Sequence, residues 1–427
     1  DEGLHVPRFE GQPAYITPAV ALYRNGPSGF AYNPGTALGT RWRNFFFSSH
    51  FTGSAAQSHV SAFRVEPSGA TFELAEARDV VRGVLIPSLA FGPSGALYLA
   101  DWIEGWDVQD QGRIWRISAD DPAPKQEETA ELLEEGISER TTKQLRTHLG
   151  HADMRVRMQA QFELARRGTD GERALRATAL GERDRLARLH GIWGLGQIGE
   201  RRPSAVAPLV DLLEDEDSEI RAQSAKVLGE AGYREASQAL IEALDDPEPR
   251  VRFFSTIALG KLGAENARPA IVRMLEENGG RDAYLLHAGA EGLARLGDPV
   301  ALAELSGHRS PAVRRAVVVA LRQGKSPLVA RFLADDDPRV ATEAARAVHD
   351  DFSIEDAMPE LARTIDRSPA DTEAFLRRAI NANLRLGGPT SAERLARFGA
   401  RTGASEAMRV EALTALRQWP DPPALDR

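Results

Sequence analysis

The 427-residue chain contains no cysteine. That excludes disulfides, cysteine-ligated zinc, iron–sulfur centres, thiol nucleophiles and covalent c-type haem from these residues. No run of 18 apolar residues occurs, so no transmembrane helix is expected. Lysine is scarce: of 53 basic residues, 48 are Arg and five Lys, a bias spread along the whole chain and not gathered into a phosphate-binding patch. The net charge of −9 argues against a general affinity for nucleic acid or acidic membranes. No Gly-x-Gly-x-x-Gly follows a strand, and no Gly-x-x-x-x-Gly-Lys-[Ser/Thr], His-Glu-x-x-His, Gly-x-Ser-x-Gly or EF-hand spacing is present. What remains is a globular composition, 42% hydrophobic and 27% charged, long enough for two or three domains. The chain opens Asp1-Glu2-Gly3 and closes Leu425-Asp426-Arg427, which reads as a piece of something longer.

Two segments differ in chemistry. Residues 1–118 hold 17 of the 28 aromatic residues but only 20 of the 115 charged ones. In this segment short apolar runs are bounded by Gly, Pro, Asn and Ser, and predict strands: Asn44–Phe47, Val60–Val65, Ser88–Phe91, Ala96–Ala100 and Gly112–Ile117. Phe91-Gly92-Pro93-Ser94-Gly95-Ala96 predicts a tight antiparallel hairpin. Such spacing suits a sandwich or a β-propeller.

From about residue 143 a helical motif recurs. In the stretch after Asp217, small or apolar residues follow Ile220 at Ser224, Val227, Leu228 and Ala231, and Val251 repeats the spacing with Ser255, Ala258, Leu259 and Leu262. One helix face is thereby buried. Asp217 or Ser218 caps the start, and Gly232 or Gly263 supplies the left-handed end. Alignment on Ile220 places equivalents at Val156, Ala187, Val251, Leu285, Val313, Val340, Phe375 and Val410. Second helices such as Pro208–Leu213 and Ser237–Leu244 lie between them, followed by acidic turns. Units of this kind bury their apolar stripe only by stacking, which is the logic of a solenoid. The pattern resembles HEAT repeats, in the subtype first noted in phycobilisome lyases. The Arg that follows the first apolar position (Arg157, Arg188, Arg221, Arg252, Arg314) is expected to pair with an acidic turn or to be solvated, not to form a basic binding ladder.

The ordered set Gly26-Pro27-Ser28-Gly29, Trp42-Arg43-Asn44-Phe45-Phe46, Phe91 through Trp102 and Gly112-Arg113-Ile114-Trp115-Arg116-Ile117 resembles the last blades of the glucose/sorbosone dehydrogenase-type propeller. It resembles most the large "membrane-bound dehydrogenase" proteins of planctomycete-like bacteria, which join such a propeller to HEAT-type repeats and often to a cytochrome c module. The resemblance implies pyrroloquinoline quinone (PQQ) and calcium as cofactors of sugar oxidation. It also implies c-type haem only in a C-terminal module that this chain lacks, and a periplasmic or cell-envelope location. A blade takes roughly 40–50 residues, so residues 1–118 supply about two to three blades and leave a sheet edge open.

Several residues are candidates for chemistry. Asp101-Trp102-Ile103-Glu104-Gly105-Trp106-Asp107 sets acids beside two indoles at a strand end: Asp101 and Asp107 suit calcium, and Trp102 and Trp106 suit sugar rings. The plainer reading has the tryptophans covering the end of the sheet and the acids solvated. His50 and His59 flank a Gly/Ser loop after a strand, as general base or metal ligand, or as ordinary hydrogen-bonding partners. Arg82 is the only basic residue near the places where quinone-binding relatives carry theirs, which would otherwise supply charge-assisted hydrogen bonds to the cofactor.

The expected fold class is β plus α multidomain: a partial β-propeller over 1–118, an acidic connector over 119–142, and an α-solenoid of about nine HEAT-type repeats over 143–427. The leading functional expectation is part of a cell-envelope protein resembling PQQ-dependent sugar dehydrogenases, inactive as this segment alone, whose solenoid binds a protein partner such as a cytochrome c module. The alternative is a non-catalytic propeller and HEAT scaffold that binds glycan or protein.

Overall fold

A computed structural model of the chain describes Pro13 and residues 16–103, 110–350, 352–366 and 372–419. Among the described residues, seven strands form two antiparallel meanders. The first sheet runs β1 (Pro27–Tyr32), β2 (Phe46–His50), β3 (His59–Ser68) and β4 (Thr71–Arg82); the second runs β5 (Ser88–Phe91), β6 (Leu97–Asp101) and β7 (Arg113–Ile117). The hairpin at Gly92–Gly95 is present: Gly92 N donates to Ala96 O at 2.9 Å, and Gly95 takes φ +75°, which a glycine adopts without strain. Phe47, Val60 and Ala62 of the first sheet join Leu89, Leu97 and Leu99 of the second in one core, closed by Trp42, Phe45 and Ile86. The two meanders are small sheets, and nothing in their geometry alone closes a propeller.

The chain divides into two compact units. The first comprises Ala19–Ala239 with Glu248–Val251 and so holds both sheets together with the first repeats; the second takes Leu240–Pro247 and residues from Arg252 onward, with Pro18 and the residues before it. In the first unit the acidic connector is folded. It carries helix α1 (Gln126–Glu135), Ala123 N donates to Leu38 O at 3.0 Å, and Thr129 and Leu132 are buried. Helices α2 (Thr142–His148), α3 (Met154–Arg166), α4 (Gly168–Gly181), α5 (Arg185–Gly199) and α6 (Ser218–Glu230) follow.

The repeat logic holds at the level of single residues. Val156, Ala187, Ile220, Val251, Leu285, Val313, Val340 and Phe375 are all buried. The ninth equivalent departs: Val410 is 54% exposed, while Met408 and Ala412 of the helix Glu406–Gln418 are fully buried, so the apolar stripe sits two residues earlier than the alignment puts it. The acidic turns are there because they cap. Asp153, Asp184, Asp217, Asp282 and Asp337 each accept a backbone N–H of the first turn of the helix that follows. Gly232 and Gly263 adopt φ +69° and +65° as expected of helix ends. The Arg ladder is structural at four of its five positions: Arg188 pairs with Asp215, and Arg314 with Asp335 at 2.7 Å, while Arg157 donates to His151 O at 2.7 Å and Arg221 to Asp215 O at 2.8 Å; Arg252 departs, its Nε buried without a partner among the described residues. The expected second helix at Pro208–Leu213 is instead two 3-10 turns, Pro203–Leu209 and Asp211–Glu214, with Pro208 inside the first.

Candidate binding cleft

Strand alternation puts three cross-strand rows on the face of the first sheet that points away from the core. The register aligns Tyr32 with Phe46 and Phe63, then Phe30 with Ser48, Ser61 and Asp79, then His50 with His59 and Arg82. One end of this face is therefore aromatic and the other polar. Phe30 and Phe46 stack at 5.4 Å, Phe46 and Phe63 at 5.3 Å, and Tyr32 tilts onto Phe46 at 4.7 Å. This ladder lines a cleft of about 980 Å³ together with Val20, Ala21, Tyr23, Phe72, Met154 and Arg185. Phe30 is 61% exposed, the most open ring in the ladder. Three charged residues, Arg64, Glu66 and Arg185, also line the cleft.

At the polar end, His50 and His59 come together as parallel rings 4.6 Å apart. His50 Nε2 bonds Ser61 Oγ at 2.8 Å, and both residues are almost fully buried beneath the edge of the Tyr23 ring. Burial pushes the His50 pKa below its ordinary value, and His59 and Arg24 push it the same way, against the Asn25 backbone and Asp79. Arg24 donates to His59 Nε2 at 2.8 Å and pairs with Asp79 at 2.8 Å. A Ser–His pair exists here, but it is covered, and among the described residues no group of three or more His, Asp or Glu side chains is arranged to hold a metal.

The remaining candidates have structural partners. Asp101, 5% exposed, accepts from Leu85 N at 3.2 Å, Ile103 N at 3.0 Å, Arg113 Nε at 3.1 Å and Trp115 Nε1 at 2.8 Å. Burial alone would raise its pKa, but the hydrogen bonds from Trp115, Ile103 and Leu85 with the Arg113 charge outweigh it and hold the carboxyl below its usual range. Both oxygens are occupied by donors that calcium would have to displace. Arg82 is exposed and paired with Asp79, so it offers no free cation to a quinone carboxylate. These residues do not fit PQQ and calcium as a resident pair. Trp102 is 39% exposed and its backbone N–H donates to Leu85 O at 2.8 Å. Trp106 and Asp107 lie outside the described residues.

The cleft was not among the expected sites. Its signal is visible in retrospect: Phe46, Ser48 and His50 alternate with Phe47 and Ser49, so β2 carries an aromatic residue on each of its faces, and only one face can be core.

Comparison with known proteins bears on the helical part. Residues 172–253 and 206–281 match the HEAT-repeat family. No curated protein matches the chain. Among solved structures, the CpcE and CpcF complex of phycocyanin lyase from Nostoc is 23% identical over 57% of this chain and 86% of that one, with a TM-score of 0.27. Kap121p is 13% identical over 64% of this chain and 37% of that one, with a TM-score of 0.44. Importin beta is 12% identical over 70% of this chain and 49% of that one, with a TM-score of 0.40. The chain thus carries HEAT repeats in a helical solenoid, a fold consistent with a protein-interaction scaffold. These likenesses say nothing of its partner.

Proposed function

We propose that the chain is a non-catalytic interaction scaffold, in which two propeller-type blades are built onto the first HEAT repeats and the aromatic cleft recognises an extended, uncharged, apolar segment of a partner protein. The observation that carries this reading is the ladder Tyr32, Phe46, Phe63 and Phe30, left open on a sheet whose other face already has its core. Exposed apolar patches of this kind mark interaction sites. The choice of occupant rests on what the chain itself lays there. Residues 19–23, Ala-Val-Ala-Leu-Tyr, run without secondary structure along one wall and set Tyr23 on Phe63 at 5.2 Å. A partner segment of the same chemistry meets a lining that is mostly aromatic and aliphatic. The blade reading is supported by the two antiparallel meanders and by the family resemblance of their turns.

Selection from a displayed random-peptide library tests this. Enrichment of apolar, proline- or aromatic-bearing sequences, with binding lost at least tenfold in Phe46→Ser with Phe63→Ser, is the expected result. Enriched peptides that bind this variant unchanged would remove the cleft from the reading. The rival redox reading, with PQQ, a cytochrome c partner and an envelope location, predicts haem bands in the full-length native protein that reduce on adding PQQ, calcium and sugar. A featureless spectrum is what the scaffold predicts.

A further inference from the structure

We propose that residues 19–25 form an acid-released cover over one wall of the cleft, locked at neutral pH by the hydrogen bond from Arg24 to the unprotonated Nε2 of His59. The consequence for binding rests on the reading of the cleft given above, but release of the cover is a property of this chain alone. Most of residues 19–25 are exposed, and the segment is held at few points. Tyr23 rests on Phe63 and His50, Arg24 reaches His59 and Asp79, and just beyond it Gly26 O accepts Phe51 N at 2.7 Å.

The chemistry of the lock fixes its protonation state. An arginine can only donate, so His59 Nε2 must present a lone pair, and the ring proton lies on Nδ1, which faces Gln57 O at 3.3 Å. Protonating His59 puts an N–H where Arg24 needs an acceptor. The charged and titratable groups around that ring are Arg24 from the cover, His50 stacked from β2, and Asp79 and Arg82 from β4. Asp79 is 3.9 Å from His59 Nε2 and attracts the new charge, yet it already holds Arg24 and Arg82. One carboxylate then faces three cations. Arg24 has lost its neutral partner and, unlike His59 and Arg82, lies outside the strands. Burial holds the His50 pKa below its ordinary value. With the cover lifted, Val20, Ala21 and Tyr23 leave the wall of the cleft, which widens toward His50 and Ser61.

Amide hydrogen exchange of the whole chain, expressed as protection relative to intrinsic rates, reads the lock directly. Protection at the Phe51 amide, which donates to Gly26 O, should fall at least tenfold between pH 7 and pH 5, while α6 amides keep theirs. His59→Gln, which keeps an acceptor but cannot charge, should abolish that fall; Arg24→Ala should give low protection at both pH values. Protection that does not change with pH in the wild type, or a fall that persists in His59→Gln, overturns the proposal. Nitrogen NMR of the unaltered protein gives a second reading without any variant: at pH 7 the His59 tautomer must carry its proton on Nδ1, and an Nε2–H tautomer also overturns it. None of these readouts uses a ligand, so failure of the peptide selection and failure of the lock are separate results.

Discussion

Arg157 donates its Nε hydrogen to His190 Nε2 at 3.1 Å, and His190 Nδ1 in turn bonds Gln161 Oε1 at 2.7 Å. The imidazole is therefore held neutral, and burial with the Arg157 charge lowers its pKa to about 3. Because the folded pKa lies below the ordinary 6.5, the unfolded chain binds this proton first as pH falls. Stability from this group is full above about pH 6.5 and declines toward pH 3, by up to about 1.4 kcal/mol per pH unit. The denaturation midpoint should drop across that window, and His190→Gln should flatten the drop. An equal slope in both proteins would count against the buried neutral ring.

The register of the last described repeat is open to a simple contrast. Met408 is fully buried and Val410 is 54% exposed. Met408→Ala should cost about 2–5 kcal/mol, like Leu228→Ala in the middle of the array, whereas Val410→Ala should stay within about 0.5 kcal/mol. Urea denaturation of the three variants checks it.

Helices α4 and α5 meet where small residues stand four positions after the repeat's first apolar residue. A Cβ on Gly191 would fall 2.8 Å from Ala179 N and 2.9 Å from Leu175 O, both backbone atoms that cannot swing away. Gly191→Ala should thus destabilise by about 1–3 kcal/mol despite the better helix propensity of alanine. A gain in thermal midpoint would show that the two helices can part without cost.

Asp101 gathers four donors from three segments, and its loss leaves buried N–H groups without an acceptor. Asp101→Ala should cost about 3 kcal/mol. Calorimetric titration of calcium into the wild type and this variant should give identical heats; a binding isotherm present only in the wild type would restore the metal reading.

Thr36 Oγ1 donates to Asp153 Oδ2 at 2.6 Å with both residues buried. Thr36→Val keeps the shape and removes the donor, at about 1–3 kcal/mol. The thermal midpoint should fall without any change in the far-ultraviolet spectrum.

Most of the helical part was legible because its signals are local. Caps, the terminal glycines and the 3.6-residue stripe all lie within one helix, and eight of the nine aligned positions are buried as read. The strands with continuous apolar runs were equally plain. Strand β4 was not, since Glu73, Glu76, Arg78 and Asp79 interrupt the apolar residues of Thr71–Arg82 and none of its side chains is fully buried; the ladder to β3 makes it a strand. β1 escaped because Pro27 and Gly29 read as a turn. The cleft needed the register as well as the pattern, since Phe30, Phe46 and Phe63 come from three separate strands and meet only across hydrogen-bonded rows.

The contact between the first sheet's Asn33–Thr36 turn and the start of α3 has a bearing on solubility. Met154 N, an N–H that a helix start leaves unpaired, donates to Pro34 O at 2.7 Å, and Arg155 reaches Gly92 O at 2.7 Å. Stacked repeats have sticky ends, and an array needs a polar terminator to keep from polymerising end to end. Here the sheets and α1 are that terminator. A chain begun at residue 143 would bare an adhesive first repeat, and its oligomer size should grow with concentration.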